Sequence, residues 1–261
     1  MNISTRLSFE GLNNTRDLGG IKAADGRRIR PLRLIRSGQL YFATKADVAE
    51  LSKIVGAVAD LRTDREIMEK PDPDLVCAVL RLPIMTDMTA GVTREKNSDE
   101  KAFEEVLESE KYALRYMCAV YRGFIENEAA INGYKRFVKL LLENESGAVL
   151  WHCTAGKDRA GFAAVITQAL LGVPMQDIKE DYLYTNACLE QEISTLIDHL
   201  GKDADDKRRT TMKTLFGARE EFLVAALDCA QEIYGSLDGY IEKALGVTDE
   251  ERRILQSKYL E

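Results

Sequence analysis

The stretch that most constrains this chain runs from Gly147 to Gly161. An apolar run, Ala148-Val149-Leu150-Trp151, leads to His152-Cys153, a turn through Thr154-Ala155-Gly156-Lys157-Asp158, and an exit at Arg159-Ala160-Gly161. The run is short and apolar throughout, the pattern of a strand buried on both faces of a parallel sheet. Residues 160–171 read as a helix stopped by Gly172 and Pro174. In a strand-to-helix loop of this kind successive backbone N–H groups can turn inward and make an anion cradle at the helix N-terminus. Those dipoles, with Arg159 nearby, favour thiolate over thiol at Cys153. Arg159 brings a rigid fork that binds two phosphate oxygens at once. A thiolate beneath a cradled phosphorus can attack in line and form a phosphocysteine, which water then hydrolyses. That chemistry requires neither metal nor cofactor.

The rest of the chain supplies a frame for such a loop. Strands are expected at Leu32–Arg36, Gly56–Leu61 and Val76–Pro83, with a hairpin at Asp25-Gly26. Helical spacing marks Thr44–Ile54, with Thr44 as cap, then Tyr112–Asn127 and Ile131–Asn144. Between Arg94 and Lys111, 11 of 18 residues are charged, which predicts an exposed, mostly helical segment or an insertion. Helices fill the remainder, broken near Lys202–Arg209, and Thr248-Asp249-Glu250-Glu251 makes a capping box for the last one. Strands alternating with helices predict an α/β fold: a central, mostly parallel sheet flanked by helices, with a helical C-terminal part, as one domain over 1–261. Within 175–215 the helices read either as a lid over the cleft or as an ordinary bundle.

Composition removes other classes. The 261 residues carry 36 Lys+Arg against 43 Asp+Glu, a net charge of −7, and the longest basic block is Lys207-Arg208-Arg209, so no nucleic-acid partner is expected. No apolar run reaches the roughly 18 residues of a membrane span, and the first residues lack the apolar core of a secretory signal. A cytoplasmic protein is the expectation, with export by a route lacking a cleavable signal left open. Five cysteines lie 35 to 41 residues apart with no Cys-x-x-Cys pair, and there are two histidines. Neither a disulfide framework nor a zinc site fits that spacing.

The segment His152-Cys153-Thr154-Ala155-Gly156-Lys157-Asp158-Arg159-Ala160-Gly161 resembles the signature of the bacterial tyrosine phosphatase family whose members also dephosphorylate phosphoinositides, related to the dual-specificity phosphatases. Asn14–Gly20, Arg36-Ser37-Gly38, Ala59–Thr63 and Tyr234–Leu237 resemble stretches at corresponding places, so the likeness covers most of the chain. The resemblance implies a protein-tyrosine-phosphatase-like fold, Cys153 as nucleophile and Arg159 as transition-state clamp. It also implies that the backbone amides from Thr154 through Ala155, Gly156 and Lys157 to Arg159 line the cradle, and that Asp158 is the general acid. Asp87 resembles the separate-loop acid of dual-specificity enzymes and is the alternative. A leaving phenolate or alkoxide needs a proton from one of them.

Other residues colour this reading. Lys157 adds positive charge beside the scissile phosphate and would suit a polyanionic substrate such as a phosphoinositide. Ala160 stands where the family usually has Thr or Ser, so the second step should be slow and a phosphoenzyme should accumulate. His152 either orients the loop, as the family implies, or simply packs. Arg16 and Asp17 are expected to tie the N-terminal turns to the sheet. Asp60, Arg62 and Glu66 form a polar cluster expected to act as a salt-bridged support. The favoured substrate is a phosphotyrosine protein. A phosphoinositide or inositol phosphate on the same loop is the enzyme alternative, and a phospho-ligand binding module with weak turnover is the alternative of another class.

Overall fold

The strand that feeds Cys153 is the middle of the molecule. The computed structural model describes residues 2–85 and 100–261. The strands are β1 (Thr5–Arg6), β2 (Arg16–Asp17), β3 (Leu34–Ser37), β4 (Val55–Asp60), β5 (Ala78–Arg81) and β6 (Ala148–His152). They form one sheet in the order β1-β2-β3-β6-β4-β5. β3, β6, β4 and β5 run parallel, while β1 and β2 add an antiparallel margin. The whole of β6 is buried, as its unbroken apolar run predicts. Ser37 and Asp60 both pair with His152. The three strands therefore end together, and their C-terminal ends form the edge where an open parallel sheet places its ligand.

The first helices are α1 (Lys45–Ile54), α2 (Asp64–Glu69), α3 (Glu100–Leu107), α4 (Glu110–Glu126), α5 (Glu128–Glu143) and α6 (Arg159–Leu170). After these come α7 (Met175–Leu183), α8 (Thr185–Leu200), α9 (Asp206–Phe216), α10 (Glu220–Tyr234), α11 (Leu237–Lys243) and α12 (Asp249–Tyr259). The expected cap at Thr44 forms as a full capping box with Asp47, the expected box at Thr248 closes with Glu251, and another joins Thr63 to Glu66.

The period-2 alternation of the strands sorts side chains between two unequal cores. Leu34, Ala57, Ala59, Val149 and Trp151 face the larger one, which takes in Phe124 (α4), Phe137 (α5), Phe162 (α6), Phe222 (α10) and Tyr259 (α12). Ile35, Val58, Ala148 and Leu150 face the smaller one, closed by Leu12, Leu40 and Leu51. Helices thus cover both faces.

One expectation needs correction. The Val76–Pro83 run is shorter and far less buried than its composition suggests: β5 is an edge strand with Ala78 and Val79 exposed, because it has a neighbour on one side only. The hairpin expected at Asp25-Gly26 forms: Ala23 N donates to Arg27 O and Ile29 N to Ile21 O across an antiparallel Lys22–Arg28 bridge, with Gly26 at φ 95° in the turn. The 94–111 segment is helical from Glu100, and its first residues lie outside the described ones. Among the described residues no helix is long and apolar enough to cross a membrane.

Candidate active site

Cys153 follows the end of β6, and the next residues curl so that their carbonyls point into the protein. Thr154 O accepts from Gln39 N at 3.0 Å, Ala155 O from Asn14 Nδ2 at 3.1 Å, and Gly156 O from Arg36 Nη2 at 2.7 Å. Lys157 O lies 3.4 Å from the same Arg36 nitrogen. In a trans peptide the N–H points opposite to its C=O. With four successive carbonyls held from outside, the following N–H groups turn to the concave side, where they form an anion nest leading into α6. Gly156 makes the curl with φ 68°, and a Cβ there would sit 2.6 Å from Ser37 O. No other residue fits at that point.

Arg159 begins α6, and its guanidinium is held edge-on by Glu66, with Nη1–Oε2 at 2.5 Å and Nη2–Oε1 at 2.6 Å. The Thr154 hydroxyl donates to Oε1 of the same carboxylate. Burial alone would raise the Glu66 carboxyl, but the Arg159 charge and hydrogen bonds outweigh it and hold Glu66 at about 2. Glu66 is itself fixed by the Thr63 box, in which Thr63 N donates to its Oε2. Beside it Arg62 Nη2 bridges Asp60 Oδ2 and Asp72 Oδ1, each at 2.8 Å. His152 Nε2 lies 3.0 Å from Asp72 Oδ2 and 3.8 Å from Asp60 Oδ1. Among the described residues Asp60, Asp72 and His152 form the one group with metal-ligand spacing. Arg62 already lies between the two carboxylates and supplies the neutralising charge that a cation would.

Arg36, fully buried below the loop, shares Asp181 with Arg16. Asp181 Oδ2 is 3.8 Å from Arg36 and Oδ1 is 3.5 Å from Arg16. Ser4 N and Gln168 Nε2 also donate to that carboxylate. Burial, reinforced by the charge of Arg16, pulls the Arg36 guanidinium down to about 10. Two arginines against one carboxylate leave a net positive charge behind the nest. Arg36 and Arg159 both lie within electrostatic reach of Cys153, so the thiol sits among cations.

Asp158 closes the loop. Its Oδ1 accepts from Tyr121 Oη at 2.9 Å, and Tyr121 Oη is 2.7 Å from Tyr182 Oη. Lys157 Nζ lies 3.5 Å from that Oδ1. The same ammonium donates to Leu215 O at 2.8 Å and Gly217 O at 3.2 Å, at the end of α9.

The residues singled out from the sequence thus come together: Cys153, the Thr154–Lys157 nest, Asp158 and Arg159 are consecutive and concave. Asp87 lies outside the described residues. Asp17 ties the N-terminal turns to the strand as expected, accepting from Gly19 N and Leu32 N. Arg16 instead reaches across to α7 and α8, bonding Asp181 O and Thr185 Oγ1. His152 meets Asp72 and Asp60. Lys157 is 4 % exposed and tethered to carbonyls, so it does not turn to solvent, and its charge stays in the loop beside Asp158. Sequence reasoning missed Arg36 as the loop's backbone anchor, together with Asp72, Asp181, Tyr121 and Tyr182. The only available signal was a set of polar residues embedded in apolar runs. Of the 175–215 helices, α7 belongs to the foundation, with Ile178, Asp181 and Tyr182 buried.

A cysteine at the end of a central parallel strand, a nest of inward amides and an arginine at the helix start together define a cysteine-dependent phosphatase. The chain belongs to the tyrosine phosphatase family: the model of that family matches residues 7–261. It is 30% identical over 256 residues to a putative tyrosine-protein phosphatase of Cupriavidus necator, covering 92% of this chain and 84% of that one. It is also 30% identical to the triple specificity protein phosphatase PtpB of Mycobacterium tuberculosis, over 262 residues, 90% of this chain and 92% of that one. A tyrosine-protein phosphatase of Nostoc commune is 32% identical over 223 residues, 83% of this chain and 70% of that one.

Proposed function

We propose that the chain, as a single phosphatase domain, hydrolyses phosphotyrosine monoesters through a phosphocysteine at Cys153. The Cys153 thiolate attacks phosphorus while the bond to the tyrosyl oxygen breaks, and Asp158 gives that oxygen its proton. A water molecule then attacks the phosphorus while the P–S bond breaks and its electron pair returns to the Cys153 thiolate, Asp158 takes the water's proton, and orthophosphate leaves. The nest amides and Arg159 stabilise the equatorial oxygens in both steps. The observation that carries this reading is the run of four carbonyls, 154–157, held outward by Gln39, Asn14 and Arg36. It builds the cradle before substrate arrives.

Ala160 supports a slow second step, because it offers no hydroxyl to the departing sulfur. The phosphoinositide alternative rests on Lys157. Its ammonium is already bound by two carbonyls and faces Asp158, so a second phosphate would have to displace the end of α9. That favours the simpler monoester and gives α9 the character of a lid.

The test is phosphate release in the presence of chelator from a phosphotyrosine peptide and from a phosphatidylinositol phosphate, with Cys153→Ser as control. Release by the wild type alone, faster from the peptide, is the expected result. A faster rate on the lipid moves the assignment to the alternative. Binding of both ligands without turnover by either protein overturns the enzyme reading in favour of a binding module.

A further inference from the structure

The Asp158 side chain makes no cap bond at its own helix. It is aimed instead from two distant helices. Tyr121 on α4 and Tyr182 on α7 are both fully buried, and their rings meet edge to face with centroids 6.1 Å apart. We propose that Tyr121, backed by Tyr182, is a positioning residue that directs the transferable proton of Asp158 to Oδ2. This rests on the reading of Asp158 as general acid.

The argument is one of proton counting. An ionised carboxylate can only accept, so at 2.9 Å the single Tyr121 proton must go to Asp158 Oδ1. The Tyr121 oxygen is then an acceptor, and the proton of the 2.7 Å contact must come from Tyr182. Lys157 Nζ stands 3.5 Å from the same Oδ1. Two donor groups therefore concentrate negative charge on Oδ1. Among the described residues no hydrogen bond reaches Oδ2, so Oδ2 is the atom left to bind a proton.

The cycle follows atom by atom. Oδ2–H passes its proton to the leaving oxygen as the P–O bond breaks, and the electron pair stays on that oxygen. Oδ1 keeps its bond from Tyr121 throughout, so the carboxylate cannot rotate to exchange its two oxygens. In the second step Oδ2 recovers a proton from the attacking water. Among the described residues, the charged and titratable groups facing Asp158 are Tyr121 from α4, Tyr134 from α5, Lys157 and Arg159 from the loop and α6, and Tyr182 from α7. Burial and then the Asp158 charge keep the Tyr121 hydroxyl well above its ordinary value, so it stays protonated across the working pH range.

The experiment compares Tyr121→Phe, Tyr182→Phe and Asp158→Asn on aryl phosphates running from p-nitrophenyl phosphate to phenyl phosphate. A good leaving group needs little help from an acid and a poor one needs much. Tyr121→Phe should hold kcat/KM on p-nitrophenyl phosphate within about threefold while losing on the order of tenfold on phenyl phosphate. The basic limb of its pH profile should move to higher pH, because the carboxylate has lost a donor. Tyr182→Phe should move both readouts the same way by less. Equal slowing on every substrate with an unmoved limb overturns the proposal, since a loosened core would do only that. Should Tyr121→Phe melt early, Tyr182→Phe decides on the same readouts. If Asp158→Asn itself adds no leaving-group dependence, the general-acid assignment fails, a result separate from the failure of Tyr121.

Discussion

Two buried charge clusters flank the loop, and they are built with opposite balances. On the α2 side Asp60, Glu66 and Asp72 face Arg62, Arg159 and His152. On the α7 side Arg16 and Arg36 share the single carboxylate of Asp181. The carboxylate-rich cluster grips the guanidinium that would meet substrate and sets its plane. The arginine-rich cluster grips backbone carbonyls and sets the direction of the amides. An anion site needs both arrangements: a cation aimed by carboxylates that do not face the substrate, and dipoles turned inward by cations that stand behind them.

The comparison is most exposed at Asp181. Asp181→Asn leaves two buried arginines uncompensated, and the expected cost is about 3–5 kcal/mol of stability in urea unfolding. A loss under 1 kcal/mol would show that Ser4 and Gln168 matter more than the charge.

Next in size is Glu66. Its folded value near 2 lies below the ordinary carboxylate value of 4.5, so the stability it contributes is complete above about 4.5 and is lost as pH falls through 2. The linked amount is about 3 kcal/mol. Glu66→Gln should flatten that acid-side slope of stability and should lower kcat/KM, because Arg159 loses its charged partner. A variant with the wild-type acid slope would assign the slope to other carboxylates.

The smallest effect sharpens the distinction between the clusters. Arg36→Lys keeps the charge but cannot span Gly156 O and Lys157 O, so kcat/KM should fall about tenfold, or 1.4 kcal/mol. The same change at Arg62, which touches no loop carbonyl, should leave kcat/KM within about twofold while lowering the melting temperature. Equal effects on turnover would erase the division of labour between the clusters.

The segment from Ala148 to Leu170 was readable because everything it does is local. An apolar run, a glycine where φ is positive and a helix with a stop signal are properties of neighbouring residues. The cap at Thr44 and the capping box at Thr248 were readable for the same reason. β5 was misread because an apolar run states what a strand could bury, and only its place at the sheet edge decides what it does bury. The direction of Lys157 was not readable, because a side chain in a cation-rich loop can point either way. The carbonyls of Leu215 and Gly217, some 60 positions on, settle its direction.

By itself the sequence determined the loop proposed to react: Cys153, Asp158 and Arg159 lie within seven residues, and helix geometry with peptide planarity leaves such a loop few other shapes. Only the tertiary structure decided what holds that set in working order. Glu66, Arg36, Asp181, Tyr121 and Tyr182 lie 37 or more positions along the chain from the residues they hold. Their pairing depends on which strands and helices become neighbours, and no local pattern carries that information.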